Sequence, residues 1–192
     1  IAGSQILSAE ARTTFTAQAA ETLGITAVQP EPAVETIAIA PSDIYAQTAI
    51  VLSVKTGSVL FEKQKDKQVP LASLTKLMTA LVSSQVLQDS DVITISDTAL
   101  SEYGSSGLIS QERWRAADLR DYMLITSSND AASAFAEAAG GELSTTPIST
   151  KAKHALFVEE MNSVAKKIGL TDTYFIDETG LDTNADSAGA YG

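Results

Sequence analysis

The chain has no cysteine and a single histidine among its 192 residues. Without a thiol there is no Cys nucleophile, no disulfide and no thiolate zinc site. The lack of cysteine does not fix the compartment, because a reduced cytosolic protein can also do without it. The lone His154, in "TKAKHALF", cannot supply a zinc ligand set. With no Gly-x-Ser-x-Gly elbow for a Ser-His-Asp triad, it reads as a surface histidine. No metal and no cofactor is expected. Positive charge is also short: 13 Lys and Arg against 24 Asp and Glu leave a net charge of −11. No basic run offsets that excess, so nucleic acid and anionic lipid are poor partners. No apolar run is long enough to cross a bilayer. The first residues, "IAGSQILSAE", have neither a basic n-region nor a long h-region, so any export signal or membrane anchor is expected upstream of Ile1.

What is present suits one domain with a true core and a tail, at 44% hydrophobic and 19% charged residues. The texture changes near residue 41. Residues 1–40 are rich in Ala, Thr, Glu and Pro, with Pro30 and Pro32 close together, and read as a tail or spacer. Within it Ser8 to Leu23 could form a weak helix capped by Ser8 and stopped by Gly24. Residues 41–192 read as the domain. Two β-rich runs, "QTAIVLSV" and "SVLFEK", flank Lys55-Thr56-Gly57 and predict a hairpin with a glycine turn.

"VPLASLTKLMTALVSSQVL" follows, with Leu74, Leu77, Met78, Leu81 and Val82 at the spacing of an amphipathic helix. Ser73 and Lys76 are three apart and therefore neighbours on that helix. The serine falls in the first turn, where unpaired N–H groups and the helix dipole favour developing negative charge. A Ser hydroxyl attacks only when a base takes its proton, and a Lys amine can be that base once burial or nearby positive charge lowers its pKa. Ser-x-x-Lys alone is a common chance pattern, and a serine at a helix start is usually a cap. A second element is Ser127-Ser128-Asn129, a polar break between a helix with Leu119, Met123 and Tyr122 inward and an alanine-rich helix ending at Gly140-Gly141. Such a break can aim a hydroxyl and an amide into a cleft, or merely cap the second helix. A third helix is expected to bury Phe157, Met161, Val164 and Ile168. Trp114 and Tyr103 read as packing residues that could instead line a cleft.

Taken together, Ser73-x-x-Lys76 and Ser127-x-Asn129 resemble the signature of the serine D-alanyl-D-alanine carboxypeptidases, low-molecular-mass penicillin-binding proteins of peptidase family S11. The resemblance continues through "GSSGLISQERWRAADLRDYMLITSSNDAA" and "FVEEMNSVAKKIGLTDTYFIDETGLD", covering roughly residues 47–182. It implies an α/β (α+β) fold of the serine β-lactamase and penicillin-binding type, a helical region beside an antiparallel sheet, of which residues 41–192 are expected to hold the N-terminal and helical part without the C-terminal sheet strands. It also implies the roles: Ser73 as nucleophile, Lys76 as base, Ser127 relaying a proton and Asn129 holding the substrate amide. The implied partners are peptidoglycan stem peptides, with β-lactam antibiotics as inhibitors. The implied place is extracytoplasmic, with residues 1–40 as a spacer from an upstream anchor.

The family's third motif, Lys-Thr-Gly, is expected after Ser-x-Asn. Lys55-Thr56-Gly57 precedes the nucleophile and is therefore read as a turn. The nearest later look-alike, Glu178-Thr179-Gly180, has an acid in place of the lysine. A protein made only of residues 1–192 is accordingly expected to be inactive and marginally folded, exposing the apolar side of the hairpin and the Leu74, Leu77, Leu81 side of its helix. Two alternatives stand beside the peptidase. One is a non-catalytic peptidoglycan-binding or scaffold domain, which penicillin labelling would separate from it. The other is a class A β-lactamase, which needs a Glu four residues before a loop Asn; four before Asn162 is Val158.

Overall fold

The computed structural model describes residues 40–104, 106–181 and 190–191. The helix expected over Ser8 to Leu23 lies outside them. The chain separates into two compact units, 1–45 and 46–192. The described part of the first is a 3-10 turn, Pro41–Asp43, in which Asp43 Oδ2 accepts from Ala40 N at 3.0 Å.

The second unit begins with the expected hairpin. Strands β1 (Ala49–Leu52) and β2 (Val59–Lys63) pair antiparallel, Val51 opposite Phe61 and Leu52 opposite Val59, with an irregularity between Val51 and Leu52. The turn closes through Gly57 N donating to Ser53 O at 2.7 Å. Gly57 takes φ +72°, a conformation open to glycine at little cost. Ile50, Val51, Leu52, Val59 and Leu60 are all exposed, as expected of the hairpin in this chain.

Among the described residues four helices build the core: α1 (Thr75–Val86), α2 (Ala116–Thr126), α3 (Asn129–Glu142) and α4 (Thr150–Lys167). The centre is α3, which buries Ala131, Ala132, Ala134, Phe135, Ala136 and Ala139. Its small side chains let neighbouring helices come close, most of all at Gly140, where a Cβ would stand 2.1 Å from Lys153 O of α4. Ser128 caps α3 by accepting from Ala131 N at 3.0 Å, and Ser149 caps α4 by accepting from Ala152 N at 3.3 Å. Leu119, Met123, Phe157, Met161 and Val164 complete the core as expected. Each contributes about 1.5–3 kcal/mol by leaving water.

Two further strand pairs hold the edges: β3 (Val92–Thr94) with β4 (Arg113–Arg115), and β5 (Tyr174–Phe175) with β6 (Ala190–Tyr191). Trp114 packs on Tyr122 with ring centroids 5.2 Å apart, whereas Tyr103 is exposed. Packing is therefore right for the tryptophan and wrong for the tyrosine.

The apolar stripe divides: Met78 and Val82 are buried in α1, whereas Leu74, Leu77 and Leu81 are exposed, as expected of this chain. The buried arc also takes in Thr75, Lys76, Thr79 and Ser83. Two sequence expectations need correction. Ile168, expected inside, is 55% exposed, because α4 ends at Lys167 and Gly169 turns the chain with φ +86°. His154 is not a free surface residue: Glu178 and Glu137 flank it.

Candidate active site

Ser73 sits in a 3-10 turn, Ala72–Leu74, that feeds directly into α1. The turn is reached through Ala72 at φ +47°, and Ser127, at the end of α2, takes φ +58°. Left-handed backbone at a non-glycine residue is costly and tends to mark functional sites. Here the two kinks deliver the two serines to one point: Ser127 Oγ donates to Ser73 Oγ at 2.8 Å. Both serines are exposed at the mouth.

Lys76 lies one helical turn below, 2% exposed. Its ammonium has three acceptors: Asn129 Oδ1 at 2.6 Å, Thr179 O at 2.8 Å and Ser73 Oγ at 3.3 Å. Asn129 is oriented in turn, because its Nδ2 donates to Tyr103 O at 2.7 Å and so leaves the oxygen toward Lys76. Neither Asn129 Oδ1 nor Thr179 O can donate, so each keeps one N–H whether the lysine is charged or neutral. When the third proton leaves, the lone pair is directed at Ser73, along the longest of the three contacts. Burial pushes Lys76 below the usual lysine value, against Asp177 and Glu102, whose negative charges favour the ammonium.

The sequence reading missed the floor of this site. Thr179 O holds Lys76, and Glu178 O accepts from Thr79 Oγ1 at 2.6 Å. Asp177 Oδ1 ties the segment by accepting from Thr179 N, Thr179 Oγ1 and Gly180 N at 2.8, 2.9 and 2.6 Å. Gly180 lies so close to the nucleophile turn that a Cβ would be 1.9 Å from Ala72 O. Thus Glu178-Thr179-Gly180 is a backbone support for Lys76. The available signal was an Asp followed by Thr-Gly, the composition of a side-chain-closed turn.

A cavity of about 390 Å³ opens over these groups, walled by Leu71, Leu74, Leu77, Met123 and Leu124 beside Ser73, Lys76 and Ser127. A larger one, about 790 Å³, is lined by Glu102, Lys151, His154, Asp177, Glu178 and Thr179 and contains neither serine. The smaller cavity carries the nucleophile. Lys55 stays in the exposed hairpin turn. Asn162 is spent on structure: its Nδ2 donates to Val158 O and Phe175 O at 3.0 and 2.8 Å, and its Oδ1 accepts from Phe175 N at 2.8 Å. The structure thus brings Ser73, Lys76, Ser127 and Asn129 together and leaves Lys55 and Asn162 out.

A sequence model of the D-alanyl-D-alanine carboxypeptidase family matches residues 33–192. The chain belongs to this family. It is 31% identical over 152 residues to D-alanyl-D-alanine carboxypeptidase DacF of Bacillus subtilis and 33% identical over 155 residues to DacC of Escherichia coli. Those alignments cover 76% and 74% of this chain but 36% of each relative, so the chain spans about a third of their length. Among solved structures, the D-alanyl-D-alanine carboxypeptidase DacD of Francisella tularensis superposes with a TM-score of 0.66 at 29% identity, over 82% of this chain and 36% of that one. Penicillin-binding protein D2 of Listeria monocytogenes, in its ampicillin-bound form, superposes with a TM-score of 0.56 at 34% identity, over 74% of this chain and 55% of that one. The fold is accordingly part of the α/β penicillin-binding architecture, helix-rich with small antiparallel sheets.

Proposed function

We propose that this chain carries the acylating machinery of a serine D-alanyl-D-alanine carboxypeptidase acting on peptidoglycan stem peptides. The observation that carries the reading is the buried Lys76 amine, 3.3 Å from Ser73 Oγ and held on its other two sides by acceptors that cannot take its place as base. Ser73 Oγ attacks the carbonyl carbon between the two terminal D-alanines while its proton passes to Lys76 Nζ. Ser127 Oγ, 2.8 Å from Ser73 Oγ, relays a proton to the departing D-alanine amine and is itself reprotonated by the proton that Lys76 took; water then hydrolyses the ester on Ser73, whose oxygen recovers its proton. Asn129, whose Nδ2 keeps a second N–H beyond the one given to Tyr103 O, offers it to the substrate backbone. A β-lactam would enter by the same attack, its ring amide opening to leave an ester on Ser73.

This chemistry sets the rest of the proposal. The substrate lies outside the cytoplasmic membrane, so the protein is exported and trims stem peptides there. Residues 1–40 act as a spacer from an anchor. The use of Asn162 in holding Val158 and Phe175 favours a peptidase over a class A β-lactamase, since that side chain has no amide left to position a hydrolytic water. The test is intact mass after incubating the full protein carrying this sequence with penicillin. Addition of one β-lactam on Ser73, lost in Ser73→Ala, is expected. Equal labelling of Ser73→Ala would overturn the assignment, and no labelling at all would favour a non-catalytic wall-binding domain.

A further inference from the structure

Residues 177–180 are strung between two helices. On one side their backbone grips α1, through Thr179 O to Lys76 and Glu178 O to Thr79. On the other, the Glu178 side chain, 5% exposed, meets His154 Nδ1 of α4 at 2.8 Å. A second carboxylate lies near the ring: His154 Nε2, buried and without a hydrogen bond among the described residues, is 3.9 Å from Glu137 Oε1 of α3, an oxygen that accepts from Ser96 Oγ at 2.8 Å. The histidine therefore stands on α4 between α3 and the floor of the candidate active site. It touches neither Ser73 nor Lys76.

We propose that His154 is a positioning residue: through Glu178 it holds the Thr179 carbonyl against Lys76 and so fixes the amine beside Ser73. A backbone carbonyl is a useful anchor for a base because it has no proton to exchange, but it fixes the amine only if its own chain segment is fixed. Asp177 shapes the turn from within, and Gly180 rests on Ala72. The Glu178–His154 pair is the side-chain tie that reaches from this turn to α4. The carboxylates of Glu137 and Glu178 push His154 up to about 10, against its burial, and so favour the imidazolium as the form that donates to Glu178. The charged and titratable groups around it are Glu137 of α3, Glu178 and Asp177 of the floor, Glu102 of the loop before Tyr103, and Lys151 and Lys153 of α4. Without the imidazolium, Glu178 would be a buried, uncompensated carboxylate on the segment whose Thr179 carbonyl holds Lys76. Water drawn in to solvate it would loosen that segment and undo the burial that lowers the lysine. That raises the pH at which Lys76 can act as a base.

The kinetic part of this proposal rests on the carboxypeptidase reading, so the experiment has two readouts. In the full protein carrying this sequence, the rate of acylation by a fluorescent penicillin is followed against pH for the parent, His154→Ala and His154→Gln. His154→Ala should slow acylation of folded molecules by on the order of 10- to 100-fold, as for misplacement of a reacting group. Its rising limb should move to higher pH. His154→Gln, which can still donate to Glu178, should recover most of the rate. A His154→Ala rate within twofold of the parent with an unmoved limb would overturn the proposal, as would a smaller folded fraction whose molecules react at the parent rate. The second readout is titration of the Lys76 side chain by NMR, which needs no activity. If penicillin does not label the parent, the carboxypeptidase reading fails. An upward shift of Lys76 in His154→Ala still supports the strut, and an unmoved titration rejects it. Should His154→Ala fail to fold, the same comparison made with His154→Gln decides: a Lys76 titration and acylation limb near the parent's support the hydrogen bond as the tie, and a large shift of either rejects it.

Discussion

Leu77 and Met78 are adjacent in α1, yet the first is 60% exposed and the second 6%. The contrast extends around the helix. The side carrying Thr75, Lys76, Thr79 and Ser83 is buried, while Leu74, Leu77 and Leu81 face out. Each buried polar group needs a partner to offset the loss of water. Lys76 has three, Thr79 bonds Glu178 O, and Ser83 Oγ donates to Ala80 O at 3.0 Å, whereas Thr75 Oγ1 has none among the described residues. The inward face thus combines the polar groups of the candidate site with Met78, Ala80 and Val82.

The widest break in that comparison should come from Met78→Ala, with a loss of about 2–5 kcal/mol in urea unfolding from the lost transfer energy and the cavity left behind. Thr79→Val keeps the shape but strands the buried Glu178 carbonyl, and should cost about 1–3 kcal/mol in the same measurement. It should also slow acylation, because the stranded carbonyl adjoins the residue that holds Lys76. Leu77→Ser in this chain should change stability by about 0.5 kcal/mol or less, as for other exposed positions. A cost for Leu77→Ser equal to that of Met78→Ala would show that the two faces are not distinct. The smallest effect belongs to Lys55→Ala, which should leave acylation unchanged and stability within about 0.5 kcal/mol.

The same contrast explains what the sequence could tell. Alternating β-rich runs around a glycine gave the hairpin, and the break at Ser127-Ser128 between two apolar-patterned helices was plain, because these signals are local. The four residues at the candidate site were legible as motifs. The exposure of Leu74, Leu77 and Leu81 was expected of this chain. The buried run of Thr75, Thr79 and Ser83 was not legible, because small polar side chains add nothing to an apolar periodicity. The floor was hidden for a related reason. Thr179 and Glu178 meet α1 through backbone carbonyls, which every residue possesses, so that contact leaves no mark on the choice of side chain. His154 was misread because its two carboxylates, Glu137 and Glu178, lie far from it in sequence and meet it only in the fold.

The claim on which the account turns is that Lys76, lowered by burial, is the base for Ser73. It is tested most directly by the pH dependence of penicillin acylation at Ser73 in the full protein carrying this sequence, for the parent and for Lys76→Arg, which keeps the charge but cannot lose its proton. The account predicts a rate that rises with pH as the ammonium deprotonates, with a midpoint below the ordinary lysine value of 10.5. It predicts a loss of roughly 100- to 10,000-fold in Lys76→Arg, the usual worth of a positioned base. A midpoint at 10.5 or above, or a Lys76→Arg protein that acylates at the parent rate, would contradict it.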